Sequence, residues 1–319
     1  MNTSARPKKK WKILAIVLAV VVVLALAVMA FAGNYLFTYA LDPTAQGTLL
    51  NPADDGQPEE PSAEQQWFDA SYEDRWLTSY DGLTLHGCYI PQDQDTHLYA
   101  VVCHGYGSQP SGMAAYAARF YDMGFSILAP AARGHEQSQG DYVGMGWHER
   151  HDIIDWVNTL VDQDPQAQIL LFGVSMGGAT VMMVSGEELP DNVKCIIEDC
   201  GYTSVWDEFQ LQLQELFGLP SFPLLNAASL VCQIRAGYSF EEASSVEQLK
   251  KATLPMLFIH GEEDDFVPYS MLQPVYDACA SQEKELLSVP GAAHAQSAET
   301  DPELYWGTVT AFLEKHFDF

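Results

Sequence analysis

The chain has 319 residues, of which 48% are hydrophobic, and this is enough to bury one large core or two modest ones. Its charge is strongly negative, with 15 Lys and Arg against 43 Asp and Glu and a formal net charge of -28 at pH 7. Because nucleic-acid phosphates are bound by Lys and Arg, this composition excludes nucleic acid as an expected partner and predicts a soluble, self-repelling surface.

An apolar segment follows a basic tail at residues 1–12. Ile13 to Ala32 contains no charged residue, and a helix of this length spans about 30 Å, the thickness of the hydrocarbon core of a bilayer. We therefore predict a single-pass transmembrane anchor at residues 13–34 of a cell-membrane protein. The basic tail is expected in the cytoplasm and the acidic remainder outside. The alternative is a signal peptide cleaved before Gly33, because Ala30-Phe31-Ala32 fits a small-residue cleavage site.

Residues 35–66 are rich in Pro, Asp, Glu, Gln and Ala, and we interpret them as a linker to a folded domain at residues 67–319. In this domain, short apolar runs of strand length alternate with segments of helical periodicity. The predicted strands are 97–105, 125–130, 168–173, 193–199, 255–261 and 284–291. Such alternation predicts a mostly parallel sheet with helices on both faces, and a ligand site beyond the carboxyl ends of the strands.

A serine held between glycines follows the predicted strand at 168–173. The stretch Gly173-Val174-Ser175-Met176-Gly177 fits the Gly-x-Ser-x-Gly pattern of a sharp strand-to-helix turn that exposes a nucleophilic serine. A serine hydroxyl reacts only with a general base and a group that orients the base. The next strand ends supply both, because "HGEEDDFVP" contributes carboxylates and "GAAH" contributes an imidazole.

These motifs together resemble the α/β-hydrolase superfamily. The matching pieces are "CHGYGS", "ARGHEQSQGDY", "GVSMGG", "HGEEDDFVP" and "GAAH", in this order. Residues 67–319 look like a bacterial, membrane-anchored serine hydrolase of the esterase, monoacylglycerol-lipase-like and serine-aminopeptidase-like group. The resemblance implies an α/β fold with an eight-stranded, mostly parallel sheet and helices on both faces. It also implies a helical cap at about residues 201–250, the whole preceded by one N-terminal transmembrane helix.

The resemblance also assigns roles to the residues at the motif positions. It makes Ser175 the nucleophile, His294 the general base and Asp264 the acid that orients the base. The oxyanion hole is assigned to the backbone N–H groups of Tyr106 and Met176. No metal or organic cofactor is expected, and the expected substrate is a small-molecule acyl ester.

Two motifs need comment: one offers several candidates for the triad acid, and the other differs from the family pattern. Four consecutive acidic residues stand at positions 262–265, and the family pattern His-Gly-x-x-Asp-x-x-Val-Pro selects Asp264, with Asp265 as the alternative. Relatives often read Asp-x-Arg-Gly-x-Gly-x-Ser where this chain has Ala131 and Glu136 at the Asp and second Gly positions. That departure concerns the packing of a bracing loop and leaves the triad assignment unchanged.

An apolar stripe lies in the predicted cap. Its members recur at helical spacing, and they either line an acyl pocket or pack the cap onto the body. They are Trp206, Phe209, Leu213, Leu216 and Phe217. The acidic exterior favours a neutral acyl ester as the substrate. A peptidase or acyltransferase with the same triad, and a catalytically silent interaction module, stay open as alternatives.

The remaining histidines and the cysteines are given structural roles. His104 is expected to brace the oxyanion loop and His260 to shape the acid loop. Three more histidines are interpreted as structural or surface residues: His135, His148 and His151. The six cysteines match no zinc pattern and are expected to be small buried apolar side chains.

Overall fold

Eight strands form a single sheet in the computed structural model of the protein, which describes residues 8–44, 60–94 and 96–319. The strands are β1 Glu73–Thr78, β2 Thr84–Ile90, β3 Leu98–Cys103, β4 Ser126–Pro130, β5 Gln168–Val174, β6 Val193–Asp199, β7 Met256–Gly261 and β8 Lys284–Val289. Their order in the sheet is β1-β2-β4-β3-β5-β6-β7-β8. β2 is antiparallel to both of its neighbours, and all other neighbouring strands are parallel. The predicted eight-stranded, mostly parallel sheet is confirmed.

The β1–β2 hairpin is absent from the predicted strands, which begin at residue 97. β1 is largely exposed, and β2 carries a histidine and a glycine, so neither is the continuous apolar run that marks the central strands. The turn between them contains Gly82 with φ 91, a backbone conformation that favours glycine. This hairpin extends the sheet at one edge, beyond β4 and β3.

Eleven α-helices occur in the described residues. They are α1 Lys8–Leu41, α2 Ala63–Ser71, α3 Ala114–Asp122, α4 Glu149–Gln163, α5 Met176–Val184, α6 Val205–Phe217, α7 Ser221–Ala236, α8 Ser245–Leu249, α9 Leu272–Ala278, α10 Ser297–Thr300 and α11 Pro302–Leu313. Side chains of α4, α5 and α9 fill one core, while α2, α3 and α11 fill a second core.

The sheet separates these two cores. Successive side chains of a strand point to opposite faces, and in β5 Ile169 and Leu171 belong to the first core while Leu170 and Phe172 belong to the second. A strand buried on both faces is apolar throughout, and this is why the central strands were recognisable in the sequence. All six cysteines are buried and unpaired, as predicted.

The cap consists of α6, α7 and α8, inserted between β6 and β7. These helices occupy residues 205–249, in the segment where the sequence analysis expects the cap. α6 begins at Ser204, whose hydroxyl accepts a hydrogen bond from the Asp207 N–H at 3.0 Å, and ends at Gly218 in the left-handed conformation. Because β6 is the parallel neighbour of β5 in the sheet, an insertion after β6 begins at the same edge as the turn that carries Ser175.

The first helix is longer than the predicted anchor at 13–34. It runs without interruption to Leu41, so residues 35–41 are helix and not linker as we expected. The helix continues because Phe37 and Leu41 are buried against the domain, and the polar, proline-containing composition begins only at Asp42. Residues 10–41 form a helix long and apolar enough to cross a membrane.

The folded domain also begins earlier than the predicted boundary at Trp67. α2 starts after Ser62, which forms a reciprocal capping box with Gln65. Residues 1–7 of the predicted tail at 1–12 and residues 45–59 of the predicted linker lie outside the described residues.

Candidate active site

Ser175 occupies the sharp turn between β5 and α5. Its φ of 58 and ψ of -118 are unusual for a residue with a side chain, and such conformations cost on the order of 1–3 kcal/mol. Close backbone contacts explain the flanking glycines. A Cβ on Gly173 would collide with the Gly177 carbonyl, and a Cβ on Gly177 would collide with the Cys103 carbonyl. The Ser175 N–H donates to the Asp199 carbonyl at 2.8 Å and ties the turn to β6.

Ser175 is joined by hydrogen bonds to His294 and Asp264. His294 Nε2 lies 2.9 Å from Ser175 Oγ, and His294 Nδ1 lies 2.8 Å from Asp264 Oδ2. A carboxylate only accepts hydrogen bonds, so Nδ1 must carry the proton, and Nε2 is left to accept from the serine hydroxyl. The three predicted residues, 119 positions apart at the extremes, therefore meet at the carboxyl ends of the strands.

The structure places Asp264, and not Asp265, beside His294. Asp264 is buried, whereas the other three acidic residues at 262–265 are exposed. Its Oδ1 accepts from the backbone N–H groups of Phe266 at 3.1 Å and Val267 at 2.9 Å. Burial alone would raise the pKa of Asp264, but hydrogen bonds from His260 and His294 outweigh burial and hold that pKa below its ordinary value.

A second imidazole supports this loop. His260 Nε2 donates to the Val267 carbonyl at 2.8 Å and lies 3.3 Å from Asp264 Oδ2. Burial lowers the pKa of His260, but contacts with Asp264 and Glu198 outweigh burial, and the net shift is upward. His260 thus shapes the acid loop, as the sequence predicted.

The predicted oxyanion donors lie next to Ser175. Met176 is the first residue of α5, so its backbone N–H has no acceptor within the helix. The loop that carries Tyr106 passes close to the serine, because a Cβ on Gly105 would lie 3.4 Å from Ser175 Cβ. Tyr106, Ser175 and Met176 line one cavity. The assignment of the Tyr106 and Met176 N–H groups to an oxyanion hole stays a prediction.

Two neutral histidines hold the loop that contains Tyr106. His104 Nδ1 donates to the Gly105 carbonyl at 2.8 Å, and its Nε2 accepts from the Ala132 N–H at 3.0 Å. Burial, with a smaller contribution from His135, lowers the pKa of His104 to about 3. His135 Nε2 accepts from the Gly107 N–H at 3.2 Å. His104 thus braces the loop as predicted, and His135 also has a structural role.

The bracing loop, which departs from the family pattern at two positions, is held by side-chain contacts. Glu136 has φ 47, a left-handed conformation that favours glycine. Its carboxylate accepts from His86 Nδ1 at 2.8 Å. Nearby, Arg133 is buried and bonded through its guanidinium to Asp152 and Asp81. These contacts hold the loop although the family aspartate is replaced by Ala131.

Two buried acids behind the site were not singled out in the sequence. Glu198 and Asp199 end β6, and burial raises their pKa values to about 8 and about 6. Glu198 Oε2 accepts from the Gly201 N–H at 2.9 Å, and Asp199 Oδ2 accepts from the Tyr305 hydroxyl at 2.9 Å. The signal that would have revealed them is an acidic pair that closes an otherwise apolar strand.

A cavity opens beside Ser175 between α1 and the cap, and we call it the α1–cap cavity. Four members of the predicted cap stripe line it, while Trp206 packs against the core. The lining residues from α1 and the cap are Leu36, Tyr39, Ala40, Glu208, Phe209, Gln212, Leu213, Leu216, Phe217, Leu225 and Ala228. The contribution of α1 was not foreseen, because we expected the chain after residue 34 to be linker.

One acid lies in this apolar wall. Glu208 is buried, and this burial raises its pKa to about 8. Its Oε1 accepts from Gln212 Nε2 at 2.9 Å, whereas Oε2 has no hydrogen-bond partner among the described residues. Burial thus favours the protonated form of Glu208, whose carboxyl group lies in a predominantly apolar cavity.

The only cluster of possible metal ligands found in the described part of the chain overlaps the same site. Ligand atoms of Cys200, Asp264 and His294 lie within 4.8 Å of one another. Burial and then the nearby carboxylates raise the pKa of the Cys200 thiol well above its ordinary value, whereas a metal ligand must be a thiolate. Asp264 and His294 already bond to each other, so this group fits a proton-transfer site better than a metal site.

The architecture defines the chain as an α/β-hydrolase. The esterase Pf2001 of Pyrococcus furiosus superposes with a TM-score of 0.66 at 21% identity, over 82% of this chain and 97% of the esterase, and this likeness shows the fold. Residues 113–319 match the prolyl oligopeptidase family, and the chain belongs to that family.

Curated relatives cover most of the described domain. The protein YqkD of Bacillus subtilis is 28% identical over 243 residues, which are 76% of this chain and 79% of YqkD. A monoacylglycerol lipase of Mycolicibacterium smegmatis is 22% identical in an alignment of 256 positions that covers 70% of this chain and 90% of the lipase. The protein is therefore an enzyme of the α/β-hydrolase class, esterase-like and of a serine hydrolase family.

Proposed function

We propose that the protein hydrolyses carboxylic esters through an acyl-enzyme on Ser175. The observation that carries this proposal is the hydrogen-bonded chain from Ser175 through His294 to Asp264, at 2.9 and 2.8 Å. Both distances lie within the reach required of a nucleophile, its base and the group that orients the base.

Acylation forms one bond and breaks another. Ser175 Oγ attacks the ester carbonyl carbon while His294 Nε2 takes the hydroxyl proton, and Asp264 stabilises the imidazolium that results. The tetrahedral intermediate then collapses, the C–O bond to the alcohol breaks, and His294 returns the proton to the departing oxygen. Water, deprotonated by His294, attacks the acyl-enzyme and releases the carboxylic acid with the serine regenerated.

The N–H groups of Tyr106 and Met176 are proposed to bind the oxyanion of each tetrahedral intermediate. Negative charge on that oxygen develops only as the transition state is approached, so donors already fixed in place lower the barrier. The loss of one such donor typically costs about 10²–10³ in kcat. The bonds of His104 and His135 to this loop support its being held rigid before substrate arrives.

The cavity beside Ser175 favours an ester with an apolar acyl group. A peptide carries an amide at every residue, and each buried amide requires hydrogen-bond partners. The walls of the α1–cap cavity are predominantly aliphatic and aromatic, which suits an alkyl chain. A peptidase or acyltransferase is the second candidate, because the matching family is named for an oligopeptidase and because these enzymes form the same acyl-enzyme.

A substrate comparison tests this function. We expect the full-length protein in detergent to cleave p-nitrophenyl acyl esters and Ser175→Ala to abolish cleavage. Ser185→Ala is the matched control, since Ser185 is also buried and its hydroxyl donates only to the nearby Met182 carbonyl. Faster turnover of an N-acetylated aminoacyl p-nitroanilide than of any ester would assign a peptidase, and full ester turnover by Ser175→Ala would refute the mechanism.

We further propose that α1 anchors the enzyme in the cell membrane with the catalytic domain outside. The apolar part of the helix is fully exposed to its surroundings, which a bilayer would satisfy. Five of the chain's basic residues precede this part in the first twelve positions, which supports a cytoplasmic N-terminus.

A further inference from the structure

The first helix has two parts with different surroundings. Residues from Ile13 to about Ala32 are largely exposed, whereas Gly33, Phe37 and Leu41 are buried against the cap and body. At about 1.5 Å per residue, Leu36 lies only about 6 Å along the axis from Ala32, and Ala40 about 12 Å. Leu36 and Ala40 line the α1–cap cavity. The distance from the end of the apolar span to the start of this cavity is therefore no greater than the thickness of one headgroup layer.

The cap helix α7 lies along α1 in the same direction. Ala227 is against Gly33, where an added Cβ would lie 2.6 Å from the Ala227 carbonyl oxygen. Further along both helices, Arg235 Nη1 donates to Asn34 at 3.2 Å and its guanidinium lies 4.4 Å from the centre of the Phe37 ring. Since the helices run in parallel, the residues of α7 from Pro223 to Asn226 lie beside the apolar span, and Phe222, whose backbone is not helical, directly precedes them in the chain.

Large apolar side chains are exposed on this edge of the cap. Phe222 is 77% exposed and Leu230 is 57% exposed, and Leu219 at the α6–α7 turn is also exposed. Tyr39 of α1 packs edge to face on Phe217 at the end of α6, with ring centres 5.3 Å apart. Tyrosines at this level of the helix, next to the end of the span, match the aromatic belt of membrane proteins. The exposed apolar edge is thus continuous with the membrane span.

We propose that this edge of the cap inserts into the leaflet adjoining Ala32, and that the acyl chain of a membrane-resident ester enters the α1–cap cavity directly from that leaflet. The occupant of the edge is lipid, because α1 fixes its position at the level of the bilayer. The negative charge of the chain disfavours anionic headgroups, so the substrate class is an ester lipid whose headgroup carries no net negative charge. The ester part of this proposal rests on the proposed function, whereas the insertion does not.

Insertion is tested by depth measurements on the full chain in phosphatidylcholine vesicles. A nitroxide is attached to an introduced cysteine in each of three variants, Phe222→Cys, Leu230→Cys and Ile234→Cys. The reagent reacts selectively at these sites because all six native cysteines are buried. We expect oxygen accessibility to exceed nickel-chelate accessibility most at 222, less at 230 and least at 234. Leu304→Cys is the aqueous control. Leu304 is exposed, and it lies on α11, which packs on the other face of the sheet. Aqueous values at all four sites, or dipolar coupling between two copies, would overturn the insertion.

The route of the acyl chain is tested with a substitution in the wall from α1. Leu36→Trp should lower the ratio of kcat/KM for a 16-carbon monoacylglycerol in vesicles to that for p-nitrophenyl acetate by roughly tenfold, as expected when a few methylenes lose their pocket. Leu26→Trp, on the exposed span of the same helix, is the matched control. An unchanged ratio in a Leu36→Trp protein with wild-type circular dichroism would refute the route. Absence of all ester turnover would refute the proposed function, while the nitroxide depths would still decide the insertion.

Discussion

Asp264→Asn is the substitution that most sharply separates orientation of the base from the rest of the site. Asparagine retains one oxygen, which is able to accept from the Phe266 and Val267 N–H groups as Asp264 Oδ1 does. The oxygen that accepts from His294 Nδ1 becomes an NH₂ group, which is a donor. The imidazole then favours the tautomer with its proton on Nε2, which is unable to accept the proton of Ser175.

The expected loss follows from this change of tautomer. In serine proteases that use the same three residue types, exchange of the aspartate for asparagine lowers kcat by about 10⁴, which corresponds to about 5.5 kcal/mol of transition-state stabilisation. We expect a similar loss for Asp264→Asn in kcat for a short p-nitrophenyl ester. Thermal unfolding monitored by circular dichroism provides the check that the variant is folded.

Asp265→Asn is the matched control, one residue away and exposed. It should keep kcat within about twofold, since isolated surface changes have small effects. A folded Asp264→Asn protein with near wild-type kcat, together with a severe loss in Asp265→Asn, would show that the orienting acid has been misassigned.

Three further outcomes are expected. Glu208 has its pKa raised by burial from 4.5 to about 8, so between these values the folded state holds a proton that the unfolded chain lacks, and wild-type stability falls as pH rises through this window. The free energy of unfolding of Glu208→Gln, measured with urea, should therefore rise relative to that of the wild type by up to a few kcal/mol from pH 5 to pH 9. A difference between variant and wild type that is the same at both pH values would contradict this. Gly177→Ala should lose on the order of 1–3 kcal/mol or more because its Cβ meets the Cys103 carbonyl, whereas Gly307→Ala, which has open space on α11, should be neutral or stabilising; equal melting temperatures for the two would argue against the tight turn. Protease added to intact cells should digest the catalytic domain. In untreated cells the full-length chain should be recovered in the membrane fraction. Recovery from the medium of a domain that starts at Gly33 would instead indicate a cleaved signal peptide.

The central sheet and the meeting of the site residues could be predicted because they depend on local patterns. Strands buried on both faces are apolar throughout, and parallel strands bring their carboxyl ends to one edge, so Ser175, Asp264 and His294 had to converge. The choice between Asp264 and Asp265 needed the family pattern, since adjacent acids differ only in the direction that the loop gives them.

The cavity could not be predicted in the same way. Its wall from Leu36 and Ala40 depends on packing between the first helix and a cap almost 200 residues further along, and helical periodicity does not specify which surface a helix meets. Glu208 lies on an amphipathic helix, where an acidic residue is usually solvated. Only the tertiary position shows that its carboxyl faces the cavity. The β1–β2 hairpin escaped prediction because β1 is largely exposed and the buried strand β2 contains a histidine and a glycine, so neither is a continuous apolar run.

The most direct test of the central claim is the reaction of the full-length protein with a fluorophosphonate, followed by mass spectrometry of the labelled peptide. Such a probe phosphonylates only a serine that is activated by a base and lies near oxyanion donors. We predict a single adduct on Ser175, absent in Ser175→Ala and slowed severely in Asp264→Asn. A folded wild-type protein that stays unlabelled, or an adduct on another serine, would contradict the assignment of Ser175 as the nucleophile.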